Sequence, residues 1–168
     1  MSLPHVAIVG ATGAVGNEFL RVLEQREFPL GSLKLLASRR SAGKTLRFRG
    51  EELTVEALAD DSFRGIDLAF FSAGGPISRD YAAKAVASNC AVIDNSSAFR
   101  LHDDVPLVVP EVNSHVIKNH SGILANPNCS TIILVIALEP LRQRSGLHSV
   151  MVSTYQAASG AGQHAMDE

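Results

Sequence analysis

The chain has 168 residues, 46% of them hydrophobic, enough to bury one real core but short for two complete domains. Fifteen basic and 17 acidic side chains leave a net charge of −2, which gives no electrostatic reason to expect nucleic acid or a membrane as partner. The longest apolar run, 132–138, is far below a membrane span, and the N-terminus lacks the pattern of a secretory leader, so a cytoplasmic location is expected.

The apolar run 5–9 leads into Gly10-Ala11-Thr12-Gly13-Ala14-Val15-Gly16, and Val15, Phe19, Val22 and Leu23 then recur at helical spacing through 17–26. Strand, glycine turn and helix stand in the order that points a helix N-terminus at a phosphate. The spacing is GxxGxxG rather than GxGxxG, and a glycine turn before a helix also serves purely structural ends. A second strand, 33–37, ends in Ser38-Arg39-Arg40-Ser41-Ala42-Gly43-Lys44. An NAD site usually ends this strand with a carboxylate for the ribose hydroxyls. Hydroxyls and guanidinium groups instead suit a 2′-phosphate and favour NADP, although a solvated basic turn has the same composition.

Segment 45–57 alternates apolar and polar around Gly50 and is expected as a small hairpin-like insertion. A buried strand at 67–73 ends in Ser72-Ala73-Gly74-Gly75, helix follows at 77–89, and a strand at 91–93 ends in Asp94-Asn95-Ser96-Ser97-Ala98-Phe99-Arg100. Asn95 and the serines of that cluster could hold cofactor or substrate oxygens, with Arg100 on a phosphate or carboxylate; alone the cluster also reads as an Asx-type turn with an exposed Arg. An extended piece at 107–109 and a short helix from Asn113 to Lys118 precede the strand 122–125.

Next comes Asn126-Pro127-Asn128-Cys129-Ser130-Thr131 and an apolar helix through 131–141. A thiol at a helix start feels the positive end of the helix dipole, which favours the nucleophilic thiolate, and the neighbouring Asn and Ser can donate to an oxyanion. Cys90, opening the apolar run 90–93, reads as core packing. The two cysteines form no CxxC pair, and no metal-ligand spacing is present. Segment 148–155 alternates like a strand and ends in the small-residue turn Gln156-Ala157-Ala158-Ser159-Gly160-Ala161-Gly162. Strands and helices alternate, so the expected fold is α/β: a Rossmann-like, doubly wound, mostly parallel sheet over 1–130, followed at 131–168 by the start of an incomplete α+β catalytic and dimerisation domain.

Together these motifs, which run the length of the chain, resemble the bacterial type of aspartate-semialdehyde dehydrogenase. The resemblance implies Cys129 as nucleophile, Gln156 as the residue that orients substrate, and Arg100 with Asn128 at the substrate and phosphate. It places Gly10, Thr12, Gly13, Ala14, Val15 and Gly16 at the pyrophosphate of NADP, and Ser38, Arg40 and Ser41 at its 2′-phosphate. Ser72, Gly74, Asn95, Ser159 and Gly160 fall near the nicotinamide. The implied substrates are small molecules, and the family's full-length members are expected to be homodimers or homotetramers. N-acetyl-glutamyl-phosphate reductase is a rival with analogous chemistry, but its Asn-Pro-Gly-Cys-Tyr differs from the sequence here at Asn128 and Ser130. The family's general-base His and substrate-carboxylate Arg match no position of the chain. It is therefore expected to be an N-terminal half, inactive alone; a stand-alone NADP-binding module is the alternative.

Overall fold

The computed structural model describes residues 2–157. Its strands are β1 (His5–Val9), β2 (Ser32–Ala37), β3 (Thr45–Phe48), β4 (Glu51–Ala57), β5 (Leu68–Phe71), β6 (Ala91–Asp94) and β7 (Ile123–Ala125). They form one sheet in the order β3-β4-β2-β1-β5-β6-β7. Every neighbouring pair is parallel except β3 with β4.

The apolar runs become strands because both faces of the sheet are covered and alternate residues serve opposite faces. Ala7 and Val9 join Leu36, Ala69, Phe71 and Val92 on the side of helix α2 (Gly75–Ala87), against Ala82 and Ala85. Ile8 joins Leu35 and Val55 on the other side, against Leu20 and Leu23 of helix α1 (Ala14–Gln25). Each of the Val, Leu, Ile and Phe side chains among them contributes about 1.5–3 kcal/mol on burial, and the alanines less. The chain winds outward from β1 through β2 to β4, then restarts at β5 and winds the other way. The reversal between β1 and β5 is where open sheets of this kind form a ligand crevice. The doubly wound, mostly parallel sheet is therefore as expected.

Four local expectations are corrected. Segment 45–57 does pair as a hairpin, Thr45 opposite Thr54, but it is no insertion: β4 also extends the parallel sheet along β2 from Leu35–Val55 to Ala37–Ala57. Buried Phe48 and Val55 tie it to the core beside α1. Helix α1 starts at Ala14 rather than Asn17, because Gly13 is its N-cap. Its buried residues are Gly16, Leu20 and Leu23, while Val15 is exposed. The helix expected at Asn113 begins earlier, as α3 (Pro110–Asn113) running into a 3₁₀ turn at Ser114–Asn119. Proline suits a first turn, where its missing N–H costs nothing, and Asn113 Oδ1 turns back to accept from the Val109 N–H at 2.8 Å.

The fourth correction concerns the tail. Helix α4 spans Cys129–Ser145, but the alternating segment 148–155 forms no strand among the described residues. It finds no ladder partner, and Met151 and Tyr155 are each 99% exposed. Alternation stabilises a strand only when a neighbour takes up its N–H and C=O groups. No described helix is long and apolar enough to cross a membrane.

Candidate active site

Because β2, β1, β5, β6 and β7 are parallel, their carboxyl ends open on one edge. In spatial order that edge carries Ser38 to Arg40, the glycine turn, Ser72 to Gly75, Asn95 to Arg100, and Asn126 to Cys129. From β2 to β7 are four strand spacings, roughly 19 Å, over which an extended dinucleotide can lie. Every described site candidate except Gln156 thus reaches the edge through the winding of the sheet.

The three glycines of the turn have different reasons to be there. Gly10 has φ +90°, and a Cβ on it would stand 2.5 Å from the Ser72 carbonyl oxygen. A Cβ on Gly16 would strike the Gly10 carbonyl and Ala11. Those two are demanded by the protein's own packing. Gly13 is exposed, has an ordinary φ of −77°, and a Cβ there would meet only the Gly10 carbonyl oxygen, at 3.3 Å. It caps α1 without any side-chain hydrogen bond, and the first turn holds no acidic residue. The opening N–H groups of α1 have no acceptor among the described residues and lie beside the exposed Ala14 and Val15, an arrangement that fits an anion such as a pyrophosphate.

At the end of β2, Ser38, Arg39 and Arg40 are exposed, and neither arginine takes part in an ion pair among the described residues. Ser41 differs: it is buried, and its N–H closes the turn on the Ser38 carbonyl at 2.9 Å. It shapes the basic turn rather than lining its open face. Ser72, half-buried, gives its N–H to the Val9 carbonyl at 2.8 Å, and exposed Gly74 caps α2.

The ends of β6 and β7 are laced together. Asn126 Nδ2 donates to Asn95 Oδ1 at 2.6 Å. Arg100 donates from Nε to the Asn126 carbonyl (2.9 Å) and from Nη2 to the Asn95 carbonyl (3.1 Å). Its guanidinium is thus a staple between two loops, with Nη1 bonded to nothing among the described residues. Asn128 is the N-cap of α4, its Oδ1 accepting the Ser130 N–H at 3.0 Å. Cys129 is the first helical residue and is exposed, its Sγ 3.8 Å from Gln156 Oε1. Asn128 Nδ2 donates to the same oxygen at 3.3 Å, and Gln156 Nε2 donates to Ser130 Oγ at 3.4 Å. Cys129, Asn128 and Gln156 therefore meet.

One expected role is lost: the Ser130 hydroxyl donates to Asn128 Oδ1, so it is not available to an oxyanion. Cys90 is the opposite of Cys129. It is buried, and burial, reinforced by Asp67, pushes its thiol up to about 12. Ser159 and Gly160 lie outside the described residues. Sequence reasoning gave no role to Asn126, Ser78 or Asp94, although Asp94 is fully buried and hydrogen-bonded to Ser78. The available signal was a carboxylate ending an otherwise apolar strand.

Residues 5–120 match the family described as "Semialdehyde dehydrogenase, NAD binding domain", and residues 138–168 the "Semialdehyde dehydrogenase, dimerisation domain". The aspartate-semialdehyde dehydrogenase of Bacillus subtilis is 56% identical over 98% of this chain and 47% of its own length. Among solved structures, aspartate semialdehyde dehydrogenase II of Vibrio cholerae, complexed with ASA, superposes with a TM-score of 0.95 at 46% identity, covering 99% of this chain and 50% of that one. The Candida albicans aspartate semialdehyde dehydrogenase with NADP gives 0.73 at 30% identity, over 86% of this chain and 48% of the other. The chain spans about half the length of the curated relatives it matches.

Proposed function

Because the chain belongs to the semialdehyde dehydrogenase family, we propose that it supplies the NADP-binding half and the nucleophile of an aspartate-semialdehyde dehydrogenase. The carrying observation is that the exposed Cys129, at the head of α4 and beside Gln156, stands on the same sheet edge as the bare N-terminus of α1. The domain boundary falls near residue 130, where the last parallel strand gives way to α4.

In this reading the first turn of α1, from Gly13 to Gly16, takes the pyrophosphate, and Ser38 with Arg40 takes the 2′-phosphate. Ser72, Gly74 and Asn95 face the nicotinamide end. Cys129 attacks the aldehyde carbon of L-aspartate 4-semialdehyde and forms a thiohemiacetal. The nicotinamide, when bound, takes up the hydride that separates this adduct from the thioester. Phosphate held by the remaining N–H groups of Arg100 displaces the sulfur, giving L-4-aspartyl phosphate and regenerating the thiolate. A thioester is needed because an ordinary ester is a poorer acyl donor to phosphate. Gln156 and the Asn128 amide hold the carbonyl against the sulfur. Biosynthesis runs the reaction in the reductive direction, toward lysine, methionine and threonine.

The general base and the group that binds the substrate carboxylate belong, in this reading, to the part of the longer relatives that the chain does not span. The complete enzyme is then a cytoplasmic homodimer or homotetramer. Two assays test the reading: NADPH fluorescence titrated against the purified chain, and phosphate-dependent NADP⁺ reduction with aspartate semialdehyde by the chain joined to the second half of a full-length relative. Binding by the chain, with turnover only in the joined protein and abolished by Cys129→Ser, is the expected result. Turnover that survives Cys129→Ser would remove Cys129 as nucleophile.

A further inference from the structure

Asp94 ends β6 with its side chain fully buried, and no ion pair reaches it among the described residues. Its carboxyl group accepts three hydrogen bonds. Oδ1 takes the Ser78 hydroxyl at 2.6 Å and the Ser96 N–H at 3.2 Å; Oδ2 takes the Ser96 hydroxyl at 2.7 Å. Ser78 is fully buried as well. Placing a carboxyl group there, with neutral donors only, is costly compared with a well-packed apolar side chain, and an apolar residue would serve a strand end equally well.

What the carboxyl group supplies is a joint between loops. Ser78 stands in the first turn of α2, and its own N–H bonds the Gly74 carbonyl at 3.1 Å. On the other side, the Ser96 hydroxyl accepts the Ala98 N–H at 3.0 Å and shapes the turn that carries Asn95. Asn95 is tied to Asn126, and Arg100 ties both to the approach to Cys129. Asp94 is the only residue among the described residues whose side chain joins the first turn of α2, just after the β5 loop, to the loop after β6 by hydrogen bonds. The turn holding Ser38 and Arg40 lies three strands away, about 14 Å across the sheet.

We propose that Asp94, acting through Ser78 and Ser96, is a positioning residue that sets the spacing of Gly74, Asn95 and Cys129 around the nicotinamide end of the cofactor, without influence at the adenosine end. The proposal rests on reading the sheet edge as an NADP site. Two ligands separate the ends: NADPH, which uses the whole edge, and adenosine 2′,5′-bisphosphate, which reaches only the adenosine part. Both are titrated against the purified chain and its Ser78→Ala and Asp94→Asn variants. Ser78→Ala removes a single hydroxyl and so guards against a misfolded Asp94 variant.

The expected result is NADPH binding weakened about tenfold in Ser78→Ala, the ratio that one ordinary hydrogen bond is worth, with bisphosphate binding unchanged. Equal weakening of both ligands would make Asp94 a mere stabiliser of the fold and overturn the proposal. Unchanged NADPH binding in variants of a wild-type chain that binds it would do the same. A wild-type chain that binds neither ligand would instead remove the NADP reading, and this inference with it.

Discussion

In β1 the side chains of Val6, Ala7, Ile8 and Val9 are each 0% exposed, whereas in α4 Ile133 is 72% and Leu141 55% exposed, although both segments are rich in aliphatic residues. The strand lies mid-sheet with a helix layer on either side, so its alternating side chains go to opposite clusters. Helix α4 is apolar all round over 132–138, yet its one buried residue is Glu139. An apolar run states a need for cover and says nothing of where the cover comes from. The sheet finds its cover within this chain; among the described residues α4 finds only partial cover, with Ile132, Leu134, Val135 and Leu138 half-buried. Of its exposed apolar residues, Leu141 falls within the match to the family's dimerisation domain, which begins at residue 138, and Ile133 and Ile136 precede it.

The two cysteines sample these regions, and their contrast is the sharpest way to test the difference. In the folded chain at about pH 8, iodoacetamide should label Cys129 about a thousandfold faster than Cys90, with the ratio collapsing in denaturant. Peptide mapping reads both sites; similar rates under native conditions would mean that the sheet core opens as freely as the helix surface. Truncation comes next. Phe71→Ala, which removes a ring stacked 5.6 Å from Phe63, should lower unfolding free energy by about 3–5 kcal/mol. Ile133→Ser should stay within about 0.5 kcal/mol, as exposed positions do. A large loss at Ile133 would show that α4 is covered in this chain after all.

A smaller effect is expected at the sheet edge. Arg40→Ala should weaken NADPH about tenfold and leave NADH unchanged, since only NADPH carries the 2′-phosphate. Equal losses would make the basic turn a general electrostatic feature. The smallest concerns α4 itself. The Arg142 guanidinium, helped by the Gln143 amide, holds the Glu139 carboxyl down to about 2 from 4.5. A carboxyl group depressed by folding stabilises above its unfolded value, and this contribution is lost as pH falls from about 4.5 toward about 2. Far-ultraviolet circular dichroism should therefore show less acid loss of helix in Glu139→Gln than in the parent chain over that interval.

Much of the architecture was legible because β1, β5 and β6 are short, mainly apolar runs bounded by glycine or polar turns, as strands of a sheet covered on both faces are, and β2 departs from that pattern only at Ser32 and Lys34. Alternating segments were ambiguous. The pattern at 45–57 does not say that Val55 will pair beside Leu35, and the same pattern at 148–155 meets no strand partner among the described residues. At the site, residue types at strand ends were readable because parallel winding puts all such ends on one edge. The lacing was not. Arg100 bonding a carbonyl 26 residues away, or Gln156 meeting Cys129 across 27, depends on loop paths that no local spacing encodes. Asp94 was passed over because a charged residue at a strand end ordinarily faces water.

Asn128 uses its amide at both ends: the oxygen accepts the Ser130 N–H at the head of α4, and the nitrogen donates a hydrogen bond to Gln156 Oε1. An aspartate there would terminate the helix equally well, but it would have no proton to give and would set a negative charge beside the sulfur. Asn128→Asp is thus a substitution by which folding and reactivity could part company, producing a sound scaffold with a muted thiol. The shape of α4 and the temper of its first residue are governed by opposite sides of one planar group.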